Sequence, residues 1–184
     1  TRYIRLGSGV TSLPYHHPLM VANRFVQLDH MSRGRTMLGC GPGALPSDAY
    51  MMGIDPSTQR PRMEEALAAI MALLKCEEPV TMKTDWFELN EAQLQFLPYN
   101  DRGVEMSVAS QVSPTGALAA GRHGLGLLSI GATSAGAFNM LASNWAIAEE
   151  TAAEHGNQMN RADWRLVGPV HVAETREKAR QNVR

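Results

Sequence analysis

The stretch RTMLGCGPGALPSD, residues 35–48, reads in two incompatible ways, and the choice between them decides the fold. Gly39, Gly41 and Gly43 alternate behind a short apolar run. GCGPGA satisfies the dinucleotide pattern G-x-G-x-x-G/A. LGCGPG, followed by GIDPS at 53–57, also fits the two cofactor motifs of an S-adenosylmethionine methyltransferase. Either loop must run straight from a strand into a helix, because the ligand sits over the helix N-terminus. Here Pro42 lies inside the loop and Pro46 follows four residues later. SDAYMMGID then leaves no room for a crossover of ~10–12 residues before GIDPS. Met37 stands where the methyltransferase strand carries a carboxylate, and no acidic residue ends a following strand. The plainer reading is a buried strand, RTMLGCG, whose glycines let it bend past a neighbour.

Outward from that strand, composition narrows the choices. The chain has 184 residues, enough for a single domain with a real core. Seventeen Lys and Arg against eighteen Asp and Glu give a net charge of −1, so bulk charge predicts neither a nucleic-acid nor a membrane partner. Aromatic residues make up 6%, too few for a base-stacking surface. Cys40 and Cys76 stand far apart with no CxxC, and the six histidines show no ligand spacing. Free thiols in the cytoplasm are expected, and no metal site. No apolar run approaches the ~20 residues of a membrane span, and no signal peptide opens the chain. TRYIRLGSGV starts on a strand already under way, which predicts an internal piece of a longer polypeptide.

Periodicity and punctuation give the element order. Residues 2–11 predict a strand, and Pro18 opens a helix that Gly34 closes. After strand 35–41, three prolines make 44–61 a long loop with at best a helical turn. Residues 62–75 form a helix, and 84–99 a surface hairpin turning at Asn90-Glu91. Residues 104–110 form a strand and 113–124 a helix capped by Ser113. A strand at 125–132, a helix at 135–155, a strand at 165–173 and the start of a last helix complete the chain. Strands alternating with helices in this rhythm argue for five parallel βα units.

LPYHHPLMVANRFVQLDHMSRGRTMLGCGPG, residues 13–43, carries a further signal. A strand with GSGV, then LPYHHP, a helix ending LDHMSRGR and a strand with a glycine-rich end occur in that order. With MMGID, RMEEAL, VEMSVASQVSPTG and AGRHGLGLLSIG, the chain resembles the bacterial-luciferase-like flavin-dependent monooxygenases, most of all their limonene-monooxygenase-like branch. The resemblance covers nearly the whole chain and implies an α/β fold, the (β/α)8 TIM barrel, with this chain supplying strands three to seven. A whole barrel needs ~250 residues. The expectation is therefore one domain over 1–184, an internal fragment of a longer barrel, with a hairpin insertion near 84–99.

The same resemblance implies a chemistry: reduced flavin and O2 oxygenate a small hydrophobic organic substrate, with NAD(P)H electrons delivered through a flavin reductase. FMN is the expected cofactor, the limonene-like branch keeping FAD as an alternative; a homo-oligomer is implied. Gly9 and Val10 match the family's non-proline cis peptide beneath the flavin ring, and Gly41 a position lined against it. Where the luciferases carry a thiol and a phosphate-binding arginine, this chain has Gly41 and Pro42. Ser110 and Ser113 match phosphate contacts, with main-chain N–H groups of Gln111 and Val112 beside them. Ala109 replaces the family's carboxylate, and Arg62 matches a second phosphate-binding arginine. His16 is placed at the barrel mouth, toward flavin or substrate. Asp29 and Arg35 are expected as a structural ion pair and Cys40 as a small buried residue. The family's acid-base residue comes from an earlier strand, so no catalytic base is named. Alternatives are a deazaflavin-dependent oxidoreductase of the same fold, the methyltransferase, and a non-catalytic flavin-binding relative.

Overall fold

A computed structural model of the chain describes residues 2–183. The elements run β1 (Leu6–Gly7), β2 (Thr11–Ser12), α1 (Pro18–Ser32), β3 (Thr36–Gly41), α2 (Pro46–Met51), α3 (Gln59–Lys75), β4 (Val80–Lys83) and β5 (Glu88–Ala92). They continue with β6 (Glu105–Ser110), α4 (Thr115–His123), β7 (Gly126–Ser129), α5 (Ala135–Glu154), β8 (Arg165–Leu166) and α6 (Arg176–Asn182). One curled parallel sheet has the order β1-β3-β6-β7-β8, with β2 also on β3, and forms half of a barrel. β4 and β5 make a separate antiparallel hairpin. Among the described residues no helix is long and apolar enough to cross a membrane.

Period-two alternation sorts the strand residues onto two faces. Leu38, Cys40, Met106, Val108 and Leu127 join the core, with Val21 and Val26 of α1, Leu67 and Ile70 of α3, and alanines of α4 and α5. The other face is lined by small residues that the register sets side by side: Gly39 beside Ser107 and Gly126, with Ala109 two residues further along β6. Near its start lies Glu105, the side chain 16% exposed, which pairs with Arg5 just before β1 and with Arg165 of β8 at 2.6 Å. One carboxylate thus joins the two outer strands across the inner face and holds the curl.

The strand expected over 2–11 is broken between Gly7 and Thr11, for a reason that belongs to the site below. Residues 44–61 are more helical than expected. Pro46 sits in the first turn of α2, where its missing N–H costs nothing, and Asp48 favours the same turn. α3 likewise starts at Gln59 and takes Pro61 into its first turn. The hairpin turns over Thr84–Phe87, not at Asn90-Glu91, because the Thr84 hydroxyl accepts the N–H groups of Trp86 and Phe87 at 3.3 and 3.2 Å. β8 stops at Leu166: it lies at the end of the sheet, and Gly168-Pro169 follows. Val170 and Val172, read as strand, are 85% and 84% exposed. Asp29 and Arg35, expected as an ion pair, each serve the backbone. Asp29 Oδ2 accepts the Tyr99 N–H at 3.0 Å, and Arg35 donates to the carbonyls of Ser32 and Ile4.

Candidate functional site

The β1–β2 link and the carboxyl ends of β3 and β6 gather most of the candidate residues. Between β1 and β2 the chain bulges along its edge of β3, three residues (8–10) standing opposite two (38–39), and the glycines of LGCG make room for it. A Cβ on Gly39 would stand 2.1 Å from the Ser8 carbonyl oxygen, and one on Gly41 2.6 Å from Val10 Cγ2. The Gly9-Val10 peptide in this bulge is cis. Ser8 replaces the interrupted ladder with its side chain. Its Oγ donates to the Gly39 carbonyl at 3.1 Å and accepts from the Gly39 N–H at 3.1 Å and the Thr11 hydroxyl at 3.0 Å. Gly9 is exposed, with nothing within 4 Å of where its Cβ would be. The result is a ledge of bare backbone at the rim of a face lined by Gly39, Gly41 and Ala109.

Beside it, Gly43 has φ +88°, and a Cβ there would meet Tyr15 Oη at 2.4 Å. Gln59, on the first turn of α3, donates from Nε2 to that hydroxyl at 2.5 Å. Neither Tyr15 nor Gln59 was singled out in the sequence; they lie 44 residues apart and no local pattern links them. His16 follows Tyr15 and is exposed; partial burial, and then the charge of Arg24, hold its pKa below the ordinary imidazole value. Its ring is therefore uncharged at neutral pH. Burial pushes the Cys40 thiol up to about 12, as befits an inert core residue.

The β6–α4 loop has a different character. Ser110 is 4% exposed, and its hydroxyl has no hydrogen-bond partner. Ser113 is exposed; its Oγ lies 2.8 Å from Thr115 Oγ1 and accepts the Thr115 N–H at 3.4 Å. α4 begins at Thr115, so its first N–H groups lack intrahelical acceptors and carry the positive end of the helix dipole. Gly116 brings this helix start directly against the strand, since a Cβ there would lie 1.9 Å from the Ala109 carbonyl oxygen.

The structure thus brings Gly9, Val10 and Gly41 together, and Ser110 and Ser113 into one loop. Arg62 takes another partner: its guanidinium carbon lies 5.6 Å from the centre of the Trp86 ring. The Trp86 Nε1–H in turn donates to Glu65 at 2.7 Å, which ties Arg62 to the hairpin. A flat ligand with an anionic tail fits these residues. Bare backbone suits a planar ring, and a buried unpaired hydroxyl beside a helix start suits a phosphate.

Comparison with known proteins gives the family. The chain is 53% identical to limonene 1,2-monooxygenase of Rhodococcus erythropolis over 184 residues, covering 100% of this chain and 47% of that protein. It is 51% identical to 4-hydroxyprotoasukamycin monooxygenase of Streptomyces nodosus subsp. asukaensis over 181 residues, covering 97% of this chain and 49% of that protein. The chain therefore spans about half the length of the curated relatives it matches. Among solved structures, the oxygenating constituent of 3,6-diketocamphane monooxygenase from Pseudomonas putida, a type II Baeyer-Villiger monooxygenase in complex with FMN, superimposes with a TM-score of 0.79. That match has 24% identity and covers 100% of this chain and 53% of that one. The family model for luciferase-like monooxygenases matches residues 1–184, and the chain belongs to that family.

Proposed function

We propose that this chain holds the flavin of a monooxygenase that oxygenates a small hydrophobic organic substrate with O2. The observation that carries the reading is the unpaired, buried Ser110 hydroxyl at the carboxyl end of β6, with β3 between it and the ledge at Gly9-Val10. Two relatives above 50% identity named as monooxygenases support the reaction class. The FMN in the Pseudomonas putida structure supports FMN over FAD. A deazaflavin-dependent oxidoreductase shares the barrel, but neither of these two relatives is named as one.

In this reading Gly9, Val10 and Gly41 lie against the ring, and Ser110, Ser113 and the first N–H groups of α4 take the phosphate. Arg62 stays packed on Trp86 of the hairpin and is left out of this set, and His16, uncharged, faces the substrate. When bound and reduced, the flavin supplies the electrons that let O2 react with the substrate, those electrons coming from NAD(P)H through a flavin reductase. This chain's residues contribute binding, orientation and exclusion of water. The protein is assigned to a homo-oligomer in the cytoplasm, a compartment that suits the free thiols of Cys40 and Cys76.

The test titrates the protein with FMN and follows the flavin fluorescence. Saturable binding of FMN is the expected result. Ser110→Ala should raise the Kd for FMN roughly ten- to a hundredfold, the worth of one hydrogen bond to a charged group. Tight S-adenosylhomocysteine binding with no affinity for FMN would refute the reading.

A further inference from the structure

We propose that Asn144, on α5, is a positioning residue that aims the main chain of the β6–α4 loop at the phosphate, a role that rests on the flavin reading above. Asn144 is 2% exposed and sits on the buried stripe of α5, seven residues after Ala137, four before Ala148 and seven before Thr151. A carboxamide there is costly: asparagine is a poor helix former, and burying an amide without hydrogen bonds is unfavourable. What offsets the cost is one long-range bond. Asn144 Nδ2 donates to the Gln111 carbonyl at 3.0 Å, linking α5 to the residue just after β6.

Peptide planarity turns that bond into a direction. In a trans peptide the C=O and the next N–H point opposite ways. Holding the Gln111 carbonyl against α5 therefore turns the Val112 N–H away from α5. The preceding peptide is fixed in the same manner, because the Ser110 carbonyl accepts the Ile130 N–H at 2.9 Å and the Gln111 N–H points away from β7. Among the described residues neither N–H has an acceptor. Two successive donors are thus held away from β7 and α5 and left free for an anion. Asn144 Oδ1 is buried without a partner, as is Ser110 Oγ one residue before the linked carbonyl. Unpaired polar atoms are costly in a settled core and expected where a ligand or ordered water completes the site.

The experiment compares FMN with riboflavin, which lacks the phosphate, in the wild-type protein and in Asn144→Ala and Asn144→Leu. The leucine variant keeps the volume and removes both polar atoms. The wild type should prefer FMN. Both variants should lose about tenfold of that preference, while the Kd for riboflavin moves less than about twofold. An unchanged preference, or a parallel loss of both ligands, overturns the role of Asn144. So does failure of both variants to fold, because the side chain then serves stability alone. A wild type with equal affinity for FMN and riboflavin removes the phosphate reading itself, a distinct outcome.

Discussion

Gly39→Ala should unfold the ledge rather than merely loosen it. The added Cβ would stand 2.1 Å from the Ser8 carbonyl oxygen and 3.2 Å from its carbon, so backbone must give way. Three hydrogen bonds centred on Ser8 Oγ hold that backbone, and moving it breaks them together. Overpacking a core typically costs ~1–3 kcal/mol. With backbone as the obstacle the upper figure applies, about 3 kcal/mol, or roughly 6–12 °C in Tm for a chain of this size. Flavin affinity should fall with it, riboflavin and FMN alike, because the loss is under the ring and not at the phosphate. A thermal melt and the two titrations check this; a Tm within about 2 °C of wild type would show that Ser8–Val10 is not held against Gly39.

Gly116→Ala should do the opposite to the ligand profile. Its Cβ would fall 1.9 Å from the Ala109 carbonyl oxygen and 3.1 Å from Ser110 Cα, forcing the start of α4 off the end of β6. The expected destabilisation is about 2–3 kcal/mol, although Gly→Ala inside a helix is ordinarily favourable by roughly 0.5–1 kcal/mol. Gly136, in the first turn of α5 with nothing within 4 Å of its Cβ position, supplies the control. Gly136→Ala should leave stability unchanged or raised by that smaller amount. FMN binding should weaken in Gly116→Ala more than riboflavin binding, since the N–H groups at the helix start move away from the Ser110 hydroxyl. Equal stability in the two glycine variants would contradict the close helix-strand contact.

Much of the architecture was legible because it depends on local chemistry. Gly34 and Gly124 stand with positive φ at the ends of α1 and α4, where the sequence called for helix stops. The alternating apolar residues of VEMSVAS form β6. The errors are nonlocal. Prolines at 46 and 61 look alike as breakers and as first-turn residues; only the following packing decides. RLVGPVHVA has the composition of a strand, yet beyond Val167, whose N–H still reaches Ser129 of β7, no described strand pairs with it. LGCGPG posed the hardest case, since glycines that cradle a phosphate and glycines that clear a bulging neighbour have the same pattern. What separates them is the Ser8 carbonyl, 31 residues away from Gly39. Of the proposed site, the sequence shows the placement of Ser110 and Ser113 as hydroxyls between a strand and a helix start. Arg62 was visible as a cation at a helix start, but its neighbour Trp86 belongs to the hairpin. Asn144 could have been noticed as a polar residue on an apolar stripe; its acceptor, Gln111, could not.

A crystal structure of the protein with FMN bound tests the flavin site most directly. The predicted result has the phosphate within hydrogen-bond distance of Ser110 Oγ and the Val112 N–H, and the ring against Gly9-Val10. A phosphate held by Arg62 away from the start of α4, or a ring seated off the ledge, would contradict it.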